Sequence, residues 1–212
     1  MVVDLGKKSG AISLEKGQAV TIEKTPKITA TVSFSSSTDY DIYAIVLLKD
    51  GTELVCSTFG SETQRNPTPE VEGVRHLGDV ARGGSGSNVE TLEITLTPNV
   101  DQVAVVAYSA QSNGTGSFAK YGVTTTVDNH SGTVITVDAK DANANDTIYT
   151  CVPAIIRNGE DGVQIEQVEL YSKPRSERRP TFEKPKGGFF KKADSSAPAE
   201  LVMDAGSTNL YK

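Results

Sequence analysis

Tryptophan is absent, cysteine and histidine occur twice each, and the 212 residues contain no long apolar run. Each scarcity removes a class of function. His76 and His130 are the only histidines, and neither stands at ligand spacing from another histidine or cysteine, which excludes a His/Cys zinc motif. With Cys56 and Cys151 alone, both in strand-like text, a disulfide framework is excluded and buried free thiols are expected. No stretch approaches the roughly 18 apolar residues of a membrane helix. The opening "MVVDLGKKSGAISLEKG" holds no signal-peptide core, so a soluble, cytoplasmic protein is expected. A Walker phosphate loop, G-x-S-x-G and His-Glu-x-x-His are all missing. Gly114 to Ala119, "GTGSFA", fits the G-x-G-x-x-A form of a dinucleotide fingerprint, but strand-like "KYGVTTTV" follows where a helix is required. A non-enzymatic protein is expected.

What is abundant is acid, unevenly placed. Residues 1–172 carry 12 Lys and Arg against 22 Asp and Glu, whereas 173–212 carry 9 against 5. An acidic body repels phosphates, which argues against nucleic-acid binding and in favour of cations.

Val, Ile, Thr and Tyr dominate the body in short alternating runs: "AVTIEK", "ITATVSF", "DIYAIVLLK", "TLEITLT", "QVAVVAYS", "GVTTTVDN", "GTVITVDA", "DTIYTCVPAIIRN" and "VQIEQVELYS". The turn formers "KDGT" (49–52), "NHSG" (129–132) and "NGEDG" (158–162) read as hairpin connections. No helical period is present. The reading is all-β: a two-sheet β-sandwich over 1–172, with long loops at one end. Its core is expected from alternate positions such as Ile42, Ala44, Val46 and Leu48, or Val103, Val105 and Ala107. Residues 60–73, kept out of a central strand by Pro67 and Pro69, run into the Gly/Ser-rich 76–90 as one excursion of about 30 residues, a length that usually carries function. From 173 to 212 the chain reads as an extended, basic, Pro/Gly-containing C-terminal tail that stays off the core, with Phe189-Phe190 and Leu201-Val202-Met203 as apolar docking points.

Oxygen ligands are the one chemical signal. Asp39 and Asp41 stand two apart at the start of an apolar strand, where a pleat would aim both carboxylates to one side, and paired like charges need a cation or a donor. Asp79, Asn88, Glu90 and glycine carbonyls of the 76–90 segment could add the oxygens that calcium favours. The competing reading is that Asp39 opens the strand, Asp41 guards an edge and the Gly/Ser run spans a gap.

In order, "VVDLGKKSGAISLEKGQ", "DYDIYAIVLLKDG", "HLGDVARGGSGSNVETLEITL", "VDQVAVVAYSAQ" and "SFAKYGVTTTVDNHSGTVI" resemble successive blocks of the TerD-like family of tellurium-resistance and general-stress proteins. The resemblance covers roughly 1–172. It implies a β-sandwich that binds calcium without catalysis, with Asp39, Asp41, Asp79 and Glu90 matching its metal ligands and Asn88, an oxygen donor at the place of a family acid, completing the expected set. The family loop, Gly-Asp-Asn-x-Thr-Gly-x-Gly-Asp-Gly-Asp-Asp-Glu, falls on Gly78 to Glu90. Asp79 and Glu90 match, but the three central acids fall on Gly86, Asn88 and Val89, and Arg82 adds a positive charge. Affinity follows ligand charge, so calcium binding is expected to be weaker than in a typical member, or lost at one of two sites.

The function expected is that of a calcium-responsive stress-response module in which calcium orders 76–90 for partner binding, the partners being other proteins of a stress or tellurium-resistance system. The alternative is an assembly protein with a degenerate metal site that forms a homo-oligomer or docks partners through its tail. Peripheral contact of basic 173–192 with an anionic membrane is a third, weaker reading.

Overall fold

The computed structural model describes residues 2–35, 38–78, 87–113, 116–138, 144–184 and 198–210. Its strands are β1 (Val3–Lys7), β2 (Gly10–Leu14), β3 (Gln18–Ile22), β4 (Ile28–Ser35), β5 (Asp41–Leu48), β6 (Glu53–Cys56), β7 (Glu70–Val71), β8 (Val74–His76), β9 (Ser87–Ile94), β10 (Val100–Tyr108), β11 (Thr124–Asp128), β12 (Thr133–Asp138), β13 (Thr150–Asn158), β14 (Val163–Tyr171), β15 (Thr181–Glu183) and β16 (Glu200–Val202). Two seven-stranded sheets form, ordered β1-β3-β14-β13-β10-β5-β6 and β2-β12-β11-β4-β9-β8-β7. They make the β-sandwich that the alternating runs imply. No helix among the described residues is long and apolar enough to cross a membrane.

Local chemistry places the turns. "KDGT" joins β5 to β6 with Gly51 at φ +89°, and "NHSG" joins β11 to β12 with Gly132 at φ +88°, a backbone region that glycine enters without Cβ strain. From Gly116, the first described residue of the fingerprint-like run, the chain leads into turns and then β11, and a Cβ on Gly116 would meet the Ile148 carbonyl oxygen at 1.8 Å. Chain, not a pyrophosphate, occupies that approach. Pro153 lies inside the central strand β13, and lacking an N–H it cannot complete a ladder. Both neighbouring ladders accommodate it: the register with β10 slips between Val105 and Ala107, and the register with β14 slips between Val152 and Ala154. Glu169, on the bulged side of β14, takes φ +47°.

The sheets enclose one core. β4 alternates buried and half-buried residues along its length, as a strand with one covered face should. Ile42, Ala44, Val46, Val103, Val105 and Ala107 enter the inter-sheet core as expected, with Leu48 at its margin. Yet β5 is buried at its first seven positions, not at alternate ones. The intervening Tyr43 and Ile45 join Phe59, Ala104, Val106, Tyr108, Tyr149, Val152 and Ile155 in a second cluster on the outer face of the first sheet.

What covers that face is the segment after 172. The sequence reading leaves 173–212 off the core; its described parts instead lie against it. β15 and β16 pair antiparallel, and Phe182, Leu201 and Met203 pack on the outer cluster. The Leu201-Val202-Met203 knot is therefore docked on its own chain, while Phe189-Phe190 lies outside the described residues. Prolines and charges hide this from pattern reading, because three isolated apolar side chains set no period. The 60–76 excursion is likewise more ordered than expected: β7 and β8 form a hairpin at the edge of the second sheet, with the Pro69 carbonyl accepting from His76 N–H at 2.8 Å.

Both cysteines are free and buried. Burial pushes the Cys56 thiol up to about 11 and that of Cys151 higher still.

Candidate metal centre

Asp39 and Asp41 bracket Tyr40, which is fully buried and donates its hydroxyl to the Gly116 carbonyl at 2.8 Å. The Tyr40 ring packs among Phe34, Phe118 and Tyr121, with centroids 5.4, 5.1 and 6.2 Å away. That aromatic anchor fixes the approach to β5. Asp39 is half-buried ahead of the strand, and Asp41, its first residue, is 8% exposed and stands opposite Tyr108. Strand alternation gives Asp41 the register of Tyr43 and Ile45, whose side chains belong to the outer cluster, whereas Tyr40 and Ile42 belong to the inter-sheet core.

Asn88 and Glu90 are the buried positions at the start of β9, separated by exposed Val89. They share the register of Leu92 and Ile94, both members of the inter-sheet core. Asn88 pairs opposite Phe34, and Glu90 opposite Val32. Glu90 is only 1% exposed, and its Oε2 accepts from Ile42 N–H at 2.7 Å. This bond has a topological cause. β6 pairs with β5 no further than Ala44↔Cys56, so Ile42 lies beyond the end of its neighbour. Two side chains from the second sheet stand in for the missing strand: Glu90 takes the Ile42 N–H, and His76 Nε2 meets the Ile42 carbonyl at 2.9 Å.

His76 Nδ1 accepts from Gly78 N–H at 3.0 Å. The ring proton therefore sits on Nε2, the tautomer that donates to Ile42 O. Glu90 Oε2 lies 3.7 Å from the same Nε2. Sequence reading places His76 in a loop without a task; its buried position on β8 emerges only once the β7–β8 hairpin is added to the second sheet.

Donor chemistry for a cation is present in part. Asn88 Nδ2 is buried and has no hydrogen-bond partner among the described residues. A half-turn about χ2 would put Oδ1 in that place, converting an unsatisfied donor into a ligand oxygen. Glu90 already shares one oxygen with Ile42, and no group of three or more His, Cys, Asp or Glu able to hold a metal ion occurs among the described residues. Asp79 lies outside them, as do residues 80–86. The structure thus brings Glu90 beside the strand that Asp41 opens and places Asn88 on the same strand as Glu90, but assigns Asp41 and Glu90 to different faces of the first sheet.

Compared with family models and with curated proteins, the chain matches none.

Proposed function

We propose that this β-sandwich is a TerD-like, non-enzymatic module of a cytoplasmic stress or tellurium-resistance system that responds to calcium through its 76–90 segment. The observation that carries the reading is Asn88: a buried amide with an unsatisfied Nδ2 at the end of that segment, two residues from buried Glu90. Asn88 and Glu90 are the described residues that would hold the ion, with Asp79 and backbone carbonyls from 83–88 supplying more of the six to eight oxygens that calcium takes, while Asp39 and Asp41, in the register of the outer face, would serve only a second site. Bound there, the cation would supply the positive charge that offsets carboxylate repulsion. Other proteins of such a system are the partners on this reading.

The thinned acidic content points to weak binding. The test is calorimetric titration of calcium into chelator-treated full-length protein, with Asp39→Asn, Asp41→Asn and Asn88→Ala alongside. Saturable binding that weakens in the variants supports the proposal; a silent wild type refutes it.

A second reading, an assembly protein whose metal site has degenerated, is favoured by the way Glu90 and His76 are engaged with Ile42. One of its expected docking points, the Leu201 knot, is already used within the chain, which leaves a homo-oligomer to other surfaces.

A further inference from the structure

A buried cation with no ion-pair partner among the described residues stands elsewhere in the molecule. Arg179 follows β14 and precedes β15, and it is 3% exposed. Its guanidinium lies 5.6 Å from the ring centres of both Tyr43 and Phe59. Nε donates to Asn209 Oδ1 at 2.5 Å, and Nη2 donates to the carbonyls of Phe59 and Gly60 at 3.1 Å each. All these acceptors are neutral. No carboxylate forms an ion pair with Arg179 among the described residues, and Nη1 makes no hydrogen bond there. A buried guanidinium loses hydration that uncharged carbonyls and ring faces replace only in part. Burial accordingly pushes its pKa below the usual range.

The same side chain lines a half-open pocket of about 250 Å³, walled on one side by the segment after 172. Ser61, Thr63, Thr181 and Ser207 also line it, offering hydroxyl groups. Ser61 is buried, and because its Oγ accepts from Gln64 N–H at 3.2 Å, its own proton remains for donation. One acid, Glu53, lines the wall; its Oε2 accepts from Phe182 N–H at 2.6 Å, and burial raises its pKa. A desolvated cation with a spare pair of N–H groups, in a half-open pocket also lined by serine and threonine residues, is the chemistry of oxyanion recognition.

We propose that this pocket is a binding site for a small phosphate- or carboxylate-bearing molecule, with Arg179 Nη1 as its principal contact. The site shares no residue with Asp39, Asp41, Asn88 or Glu90 and does not depend on calcium. An occupant would also tie the segment after 172 to the sandwich, since Arg179, Thr181 and Ser207 come from that segment while Ser61 and Thr63 come from the body.

The experiment titrates inorganic phosphate and, in a separate arm, acetate into the full-length protein at constant ionic strength held with chloride. It follows the side-chain N–H signals of Arg179 by NMR and the melting temperature. A saturable shift of the Arg179 signals, with stabilisation beyond that in chloride, supports the site, and the arm that saturates first identifies the preferred oxyanion. Arg179→Gln should abolish the response. Because that variant also loses the clamp on Phe59 and Asn209, Glu53→Gln is the second arm: it keeps an acceptor for Phe182, removes the like charge, and should tighten binding about fivefold. Unmoved Arg179 signals, or equal stabilisation by chloride, would overturn the proposal and leave Arg179 as a structural clamp. So would binding that Glu53→Gln leaves unchanged.

Discussion

Replacing Glu90 by alanine separates its structural role from any metal role. Ile42 is fully buried, and its N–H has Glu90 Oε2 as acceptor at 2.7 Å. Alanine leaves that donor unmatched, at about 1–3 kcal/mol. His76 still holds the Ile42 carbonyl, so only half of the substitute for the missing strand is lost. Removing a carboxylate that is 1% exposed also relieves its desolvation, which offsets part of the loss. The net destabilisation expected is about 2 kcal/mol, which for a chain of this size lowers Tm by about 4–8 °C. Glutamine retains an acceptor of the same reach and should cost less than about 1 kcal/mol. The assay is thermal unfolding followed by circular dichroism in excess chelator, so that metal plays no part. An alanine variant melting within about 1 °C of wild type would refute the argument, as would a glutamine variant less stable than the alanine one.

Two further outcomes test the packing. Burial raises the Cys56 thiol from an ordinary 9.0 to about 11, so in strong alkali the unfolded chain ionises first. Stability from this group is intact below pH about 9 and falls as pH rises towards about 11, by up to about 1.4 kcal/mol per unit. The urea midpoint of wild type should therefore drop more steeply over that window than that of Cys56→Ala; parallel curves would show that the thiol is not desolvated. Leu201→Ala, which trims a half-buried contact on the outer cluster, should cost about 1 kcal/mol. Truncation to 1–172 should go further, uncovering Tyr43, Ile45, Tyr108 and Ile155 and raising the binding of a hydrophobic dye; an unchanged dye signal would mean that this face needs no cover.

Legibility followed period. The strands written in alternating Val, Ile and Thr, from "ITATVSF" to "VQIEQVELYS", are legible in the sequence, because a pleated strand with one covered face imposes a spacing of two on it. β6, β7, β8, β15 and β16 are two to four residues long and too short to show a period. The clue to the outer cluster was present in "DIYAIVLL", which is apolar on both faces, but the text does not say what covers the second face. The candidate ligands divide in the same way: Asp39 and Asp41 are conspicuous as a spaced acid pair, whereas the partnership of Glu90 and His76 with Ile42 joins residues 48 and 34 positions apart.

By itself, then, the sequence determined what local chemistry controls: strand alternation, glycine at left-handed turns, an acidic body, two thiols destined for the interior, and a β-sandwich as the way to bury such strands. Only the tertiary structure decided which backbone groups run out of partners and which side chains replace them, as Glu90 and His76 do beyond the end of β6. It also decided that the segment after 172 covers the sheet and carries buried Arg179. Such contacts arise where one strand stops short of its neighbour or a segment returns across a face, and they depend on distances between residues that no local pattern encodes.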